Sequence, residues 1–262
     1  MRLLVVLLLF FSSLVQAAAP GLRDAEGQAW TGKLPARRII ALAPHITDML
    51  VKMGATSRIV AVVDDHDVRG AHRRSVGGFP LVADAGSINY EQIVAQRPDV
   101  VLVWGSGTPK AWIAQLRQLR LPVFVVDATK LPGLATQLEQ LGLLSGQQAT
   151  AQAQAEAVRR KLAALQQQYR SSNRLRYFHQ VWLQPLYSVH AGNLISQALA
   201  LCGADNIVKA GPVAAPLINP EFVLQANPDF ILFSEADAEA SRSYWQRFSA
   251  LTAVRRQQFL AV

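Results

Sequence analysis

Histidine and carboxylate side chains follow the early apolar segments of the chain. His45, Asp65 and His66 each come directly after one of the first two such segments, and a further histidine, His190, lies much later. Histidine nitrogen and carboxylate oxygen suit zinc or manganese, so these four side chains predict a divalent metal site. The sequence leaves open a second interpretation, in which they are solvated loop residues and helix caps.

Two aromatic residues also stand where apolar segments end. Trp104 closes the apolar run that starts at Val100, and Tyr187 follows a turn around Pro185. Both can stack on a large planar ligand, because ligands of open parallel sheets bind at the carboxyl ends of strands. Each ring can equally well close a layer of the core.

Motifs for catalysis are missing from the chain. It contains no G-x-S-x-G elbow, no phosphate-binding P-loop and no H-E-x-x-H pair, and the stretch 105–107 is too short for a dinucleotide fingerprint. We therefore expect a binding protein rather than an enzyme, with no cofactor of its own.

A short segment occurs twice and indicates two similar lobes. Each copy has an Asn, an acidic residue two positions later, and a Pro-Asp pair before an apolar run. The Asn can cap a helix, and the helix dipole favours the carboxylate in its first turn. Each lobe should thus present one acidic residue at an equivalent surface position, and these residues are Glu91 and Glu221.

Apolar strands alternate with helices over most of the chain, which is the pattern of an α/β protein with a mostly parallel sheet. We expect an N-terminal lobe over 37–145 and a C-terminal lobe over 174–262. The predicted strands are 38–43, 58–63, 100–104, 123–126, 175–183, 230–233 and 258–262. The segment 64–87 between the second and third of these strands is a long loop that contains four glycines.

The segment 146–171 joins the predicted lobes and has a different composition. It is rich in Ala, Gln, Leu and Arg, and after Gly146 it contains neither Gly nor Pro. Such a stretch favours a helix, and a helical linker is stiff where a Gly/Ser-rich linker is flexible. We expect one long rigid helix between the lobes.

The first nineteen residues predict a secretory signal peptide. Arg2 precedes an unbroken apolar core, and small residues follow at 17–19, where cleavage is expected. The apolar run is shorter than the ~20 residues that cross a bilayer, so we expect a cleaved signal and a periplasmic protein. The net charge of +8 comes from scattered basic residues, which argues against nucleic-acid binding.

The C-terminal lobe carries two further expectations. Its only cysteine, Cys202, lies in an apolar stretch and is expected to be buried. The chain stops at a predicted strand without a helix behind it, so the sequence predicts that this lobe is truncated at its C-terminus.

The run from Arg38 to Pro44, together with Thr47-Asp48, Gly54-Ala55 and both copies of the repeat, closely resembles periplasmic substrate-binding proteins of the cobalamin, iron-siderophore and haem importers. The resemblance extends from about residue 37 to 262. The stretches 103–107 and 201–207 are most similar to the vitamin B12-binding branch. This resemblance implies two α/β lobes joined by one rigid helix, the class III arrangement of periplasmic binding proteins.

The resemblance also implies roles for particular residues. It implies that Glu91 and Glu221 dock onto arginines of a membrane permease, and that Trp104 and Tyr187 line the ligand cleft. The chain departs from that branch at Asp65 and Ala215, where the branch has Tyr and Trp. It also ends before a segment whose cysteine would pair with the one matched by Cys202.

These observations together predict a monomeric periplasmic component of an ABC importer. It would capture a corrinoid between its lobes and deliver it to the permease dimer in the inner membrane. Two alternatives remain. In the first, the ligand is an iron-siderophore or haem that meets Arg69, Arg73 and Arg74; in the second, it is a bare divalent metal ion held by the three histidines and Asp65.

Overall fold

A computed structural model describes residues 21–64, 78–84, 86–170 and 173–262. These parts form two lobes, each built on one sheet with helices packed against it, and a long helix runs between them. The predicted α/β fold with two lobes is confirmed. The predicted signal peptide, 1–19, and the candidate ligands Asp65 and His66 lie outside the described residues.

Five parallel strands form the sheet of the first lobe. They are β1 (Ile39–Ala41), β2 (Ile59–Val63), β3 (Leu81–Ala83), β4 (Val100–Trp104) and β5 (Val123–Val126), in the order β3-β2-β1-β4-β5. The strands are apolar along most of their length because helices cover both faces of the sheet. From β1 the chain moves outward in one direction to β3 and later in the other direction to β5, so the strand order switches between β1 and β4.

Within the described residues, four helices cover this sheet. They are α1 (Pro44–Lys52), α2 (Tyr90–Ala95), α3 (Lys110–Gln118) and α4 (Gly133–Ser145). On one face α1 and α4 bury Leu50 and Leu141, and on the other α2 and α3 bury Ile93 and Leu116. Each such side chain contributes roughly 1.5 to 3 kcal/mol when it is fully removed from water. The two cores hold the strand ends of this lobe in fixed positions.

The linker is α5 (Gln148–Gln168), a single helix of 21 residues. Its first half packs closely on α4, where Gly142 leaves room for Ala151, and Ala155 is also fully buried. Arg159 on α5 forms ion pairs with Glu139 of α4 at 2.8 Å and with Glu156 at 2.6 Å. The linker is therefore anchored on the first lobe along much of its length.

Five strands form the sheet of the second lobe. They are β6 (Leu175–Trp182), β7 (Tyr187–Ser188), β8 (Ala204–Asn206), β9 (Phe230–Phe233) and β10 (Phe259–Ala261). The central strand β6 lies beside β9, which in turn pairs with β10, and all three are parallel. On its other side β6 pairs first with β8 in parallel and then, near its carboxyl end, with β7 in antiparallel orientation.

The helices of the second lobe are α6 (Leu194–Leu201), α7 (Pro220–Ala226), α8 (Ala238–Gln246) and the single turn α9 (Thr252–Arg255). A hydrogen-bond network in the core joins α8 to β6. Buried Gln180 accepts from the indole of Trp245 at 2.7 Å and donates to Ser241 at 2.6 Å. Because both the oxygen and the nitrogen of the buried Gln180 amide have partners, this network stabilises one position of α8 on the sheet.

Several local predictions from the sequence were wrong. Strand β3 lies inside the segment that was expected to be a loop, and the short strands β7 and β8 and the helix α9 were not predicted. Cys202 is exposed rather than buried. It follows the last turn of α6, a helix in which only Ser196 is buried despite its apolar sequence.

One side chain joins the two lobes directly. The amide of Gln197, on α6, donates to the carbonyl of Thr129 at 2.8 Å, and its oxygen accepts from the backbone N–H of Leu131 at 3.2 Å. The same amide also donates to the carbonyl of Gly192 within its own lobe at 2.8 Å. Gln197 thus fixes the second lobe against the segment that leads into α4.

We predict that Gln197→Ala lowers the free energy of unfolding by about 1 to 3 kcal/mol, because it leaves the backbone groups of Thr129, Leu131 and Gly192 without these partners. The measurement is urea unfolding followed by circular dichroism. Gln154→Ala is the control, since Gln154 also donates to a carbonyl, that of Lys52, but does not join the lobes. Equal stabilities of the two variants would contradict the prediction.

Candidate functional site

The first lobe places two of the predicted binding residues together at the point where its strand order switches. His45 follows β1 and Trp104 ends β4, so both lie at the carboxyl ends of adjacent parallel strands. Their rings are 5.1 Å apart and meet edge to face at 81°. Ligands of open α/β sheets bind outside such a switch point, which makes this pair a candidate site.

Trp104 is 40% exposed, so it does not close a layer of the core. The turn after it holds the residue in place: the hydroxyl of Thr108 accepts from the backbone N–H of Trp104 at 3.1 Å. Gly107 lies directly against the indole, and any side chain there would collide with the ring. The short stretch of glycines therefore positions an aromatic surface that faces solvent.

His45 is surrounded by groups with opposing effects on its protonation. Partial burial lowers the pKa of His45 below its ordinary value, while the charges of Asp127 and Asp48 act in the opposite direction. Asp127 follows β5 directly and accepts a hydrogen bond from the hydroxyl of Ser106 at 3.3 Å. Since desolvation is the largest of these effects, His45 is neutral at pH 7.

In the second lobe, Tyr187 lies on β7 and is half-buried. It lines an apolar hollow of about 410 Å³ together with residues of β6 and of two loops, namely Val181, Trp182, Pro185 and Ala215. This hollow is again at the carboxyl end of a central strand, since Trp182 is the last residue of β6. Both lobes therefore place aromatic side chains at the carboxyl end of a strand in the middle of the sheet.

His190 is engaged with its own loop. Its Nδ1 accepts from the backbone N–H of Gly192 at 2.9 Å, so the neutral ring carries its proton on Nε2. That tautomer offers no lone pair on either nitrogen to a metal ion. Within the described residues, no group of three or more histidine, cysteine or acidic side chains is arranged to bind a metal.

The predicted docking residues occupy equivalent positions in the two lobes. Glu91 lies in the first turn of α2, which Asn89 caps by accepting from the N–H of Gln92 at 2.9 Å. Glu221 lies in the first turn of α7, where Asn219 accepts from the N–H of Glu221 at 3.1 Å. Both carboxylates are exposed, and among the described residues neither forms an ion pair.

The second half of the repeat explains why the two positions correspond. Asp99 accepts from the backbone N–H groups of Arg37 and Arg38 at 2.8 and 3.0 Å, just before β1. Asp229 accepts in the same way from Arg176, at the start of β6, at 2.8 Å. Each aspartate thus ties its helix and strand to the central strand of its own sheet.

Sequence reasoning missed several residues of these sites. The hollow beside Tyr187 includes Trp182, for which the sequence indicates only a place in a strand. Asp127, whose charge acts on His45, directly follows an apolar run, and this signal in the sequence could have revealed it. The contact between His45 and Trp104 depends on β1 and β4 being neighbours, and spacing along the chain does not reveal that.

Two α/β lobes, one helical linker and aromatic residues at the strand ends of both lobes define a two-lobe ligand-binding protein. The model of the family described as periplasmic binding protein matches residues 39–258, so the chain belongs to this family. No helix within the described ranges is long and apolar enough to cross a membrane.

Two similar members of the family are both vitamin B12-binding proteins. The vitamin B12-binding protein of Vibrio campbellii is 30% identical over 211 residues, which cover 80% of this chain and 75% of that protein. The solved structure of the periplasmic vitamin B12-binding protein BtuF of Vibrio cholerae is 32% identical and superposes with a TM-score of 0.77, over 87% of this chain and 88% of that one. Both relatives are named as binding proteins, and the one from Vibrio cholerae is described as periplasmic.

A more distant structure shares the fold alone. The periplasmic haem-binding protein HutB of Vibrio cholerae is 19% identical, with a TM-score of 0.71 over 86% of this chain and 89% of that one. The predicted family and its closeness to the vitamin B12-binding branch are confirmed by these comparisons.

We predict that the imidazole of His45 titrates below the ordinary histidine pKa of about 6.5, and that Asp127→Asn lowers its midpoint further by removing a charge that favours the protonated ring. NMR titration of the histidine signals measures both midpoints. A midpoint above 6.5, or a rise in Asp127→Asn, would contradict the account.

The lowered pKa of His45 also makes the free energy of unfolding depend on pH. Because folding lowers the pKa, the unfolded chain binds this proton more readily than the folded one. The contribution of His45 to stability is therefore complete above about pH 6.5 and is lost as the pH falls below it.

Proposed function

We propose that this protein is the periplasmic substrate-binding component of an ABC importer and that its ligand is a corrinoid of the vitamin B12 type. The observation that carries this proposal is the exposed indole of Trp104 at the switch point of the first sheet, with Tyr187 at the corresponding end of the second. Relatives named vitamin B12-binding proteins, at about 30% identity, support this choice of ligand.

The chemistry of the two strand-end regions suits a large planar ligand. Aromatic faces stack on planar rings whatever their exact polar pattern, and they lose little conformational entropy when they bind. The polar groups near Trp104, which include neutral His45 and Asp127, can form hydrogen bonds to side groups of such a ligand. The chain therefore provides aromatic contact area with a few polar partners, as ligand sites commonly do.

The linker and the interlobe contact imply how the ligand is captured. Helix α5 is anchored on the first lobe, and Gln197 bonds the second lobe to the first. We infer that the lobes change their relative orientation little, so the ligand enters a cleft that exists beforehand. The boundaries proposed for this organisation are a first lobe over 37–145, a linker over 146–171 and a second lobe over 174–262.

Delivery to the importer would use the two exposed glutamates. Glu91 and Glu221 each stand in the first turn of a capped helix, one on each lobe, with no ion pair within the described residues. Such carboxylates suit basic residues on a partner whose two halves are related by symmetry, because charge complementarity fixes the register of an interface. Export through a cleaved signal peptide at 1–19 belongs to the same proposal.

Calorimetric titration of the purified protein tests the ligand. We expect cyanocobalamin to bind with 1:1 stoichiometry, and haem, a ferric siderophore and zinc to give no saturable heat under the same conditions. Tight binding of zinc with none of the chelates would overturn the proposal in favour of the metal site that includes His45 and Asp65. Preferred binding of haem or the siderophore would overturn it in favour of iron uptake.

Charge reversal tests the docking step. The double variant Glu91→Lys/Glu221→Lys should keep its affinity for cyanocobalamin, yet reduce uptake by about tenfold or more, because like charges across an interface cost several kcal/mol. The measurement is uptake by cells in which this chain is the sole corrinoid-binding protein.

The control for this experiment is Glu239→Lys. Glu239 is an exposed carboxylate in the first turn of α8 and lies outside the repeat, so its reversal should leave uptake unchanged. Uptake that survives in the double variant would show that the two glutamates do not dock the protein.

A further inference from the structure

A groove of about 450 Å³ lies beside the second half of the linker helix α5, and we call it the linker groove. One of its walls is a stripe of α5 that consists of Arg159, Leu162, Ala163 and Gln166. Their spacing of three and four residues places them on one face of the helix. Leu162 is only half-buried, so neighbouring elements cover this face of α5 incompletely.

The opposite wall of the linker groove belongs to the second lobe. It is the face of α6 that carries Gln197, Ala200 and Leu201, which again lie three and four residues apart. Leu131 and Pro132, which come directly before α4 in the first lobe, also line the groove. The linker groove therefore has walls from both lobes and from the linker.

The linker groove is separate from the proposed ligand cleft. Among the described residues, none that lines it also lines the hollow beside Tyr187. Neither His45 nor Trp104, which meet at the switch point of the first sheet, is part of it. A molecule in the linker groove would therefore contact both lobes without occupying the cleft.

The walls favour an uncharged ligand. Three leucines, one proline and two alanines supply the apolar surface. Arg159 is the only charged side chain among the described residues that line the groove, and its guanidinium already binds Glu139 at 2.8 and 3.0 Å and Glu156 at 2.6 Å. An anion would thus find no free cation in the groove, and burying a charge without a partner is costly.

One side chain of the groove is available for a hydrogen bond to a ligand. Gln197 uses its amide hydrogens for the carbonyls of Thr129 and Gly192. The amide of Gln166, in contrast, is exposed and forms no hydrogen bond within the part of the chain that the structure describes. It can donate to or accept from one polar group of a ligand. Apolar walls with few polar groups, in a volume of about 300 to 1,000 Å³, are typical of small-molecule sites.

We propose that the linker groove is a second binding site, for an uncharged and mainly apolar small molecule that carries one hydrogen-bonding group. This inference goes beyond the proposed function, because it requires neither the corrinoid nor the permease. The bound molecule would contact both lobes and the linker at once, so its binding would stabilise the folded protein.

Two fluorescent probes with the same rings test the site. Phenylnaphthylamine is uncharged, and anilinonaphthalene sulfonate adds one negative charge to the same ring system. The protein is titrated with each probe while cyanocobalamin is present in excess, so that the cleft is filled. We expect saturable binding of phenylnaphthylamine and at least about tenfold weaker binding of the sulfonate. Displacement of phenylnaphthylamine by cyanocobalamin, or equal binding of the two probes, would overturn the proposal.

Filling variants on both walls locate the bound probe. Ala200→Leu on α6 and Ala163→Leu on α5 each reduce the space in the groove, so each should weaken phenylnaphthylamine binding by about tenfold. The matched controls are Ala198→Leu and Ala164→Leu, which change exposed alanines of the same helices that do not line the groove. The controls should bind the probe as the wild-type protein does.

Thermal unfolding gives a second measurement on the same proteins. Phenylnaphthylamine should raise the unfolding midpoint of the wild-type protein and of both controls, and it should raise the midpoints of the two filling variants less. Equal behaviour of filling variants and controls in both measurements would overturn the site. Failure of cyanocobalamin to bind would overturn the proposed function alone, because the comparison of variants still decides whether the linker groove binds the probe.

Discussion

The structure depends on the contacts that hold its two lobes in a fixed relative orientation. Gln197 joins the lobes through hydrogen bonds to Thr129 and Leu131, and α5 is packed on α4 through Gly142 and Ala151. A helix resists bending where a Gly-rich linker would not. A cleft between the lobes and a fixed spacing between Glu91 and Glu221 both require this constraint.

Within each lobe a second, repeated constraint sets the position of the surface carboxylate. The aspartates of the repeat, Asp99 and Asp229, bind the backbone just before or at the start of the central strand, while the asparagines cap the preceding helix. These short-range bonds define one unit of helix, turn and strand. Because the unit is anchored to the central strand each time, the helix N-terminus and its glutamate occur at the same place in both lobes.

The sequence predicts much of this organisation because the signals involved are local. The runs Val100–Trp104 and Val123–Val126 are buried parallel strands, and a continuous apolar run specifies such a strand without help from the rest of the chain. The Asn caps and the linker helix follow from residue type and composition in the same way. By contrast, β3 and β8 are three residues long, and β8 contains Asp205 and Asn206, so pairing with a neighbour decides their structure.

The candidate site was only partly predictable, because some of its contacts depend on which strands pair and not on local sequence. His45, Trp104 and Tyr187 were identified because each lies at or shortly after the end of an apolar segment. The contact of His45 with Trp104 and the influence of Asp127 depend instead on which strands are neighbours. Trp182 gave no signal, since an aromatic residue within a strand is ordinarily part of the core. Its exposure arises because β6 extends past β8 and ends at the open edge of the hollow.

The crystal structure of the protein with cyanocobalamin tests the central claim, capture of a corrinoid between the lobes, most directly. The account predicts density for the macrocycle in contact with Trp104 of the first lobe and Tyr187 of the second, with the lobes in nearly the relation described here. Density for the ligand on one lobe alone, or away from the carboxyl ends of β4 and β6, would contradict it.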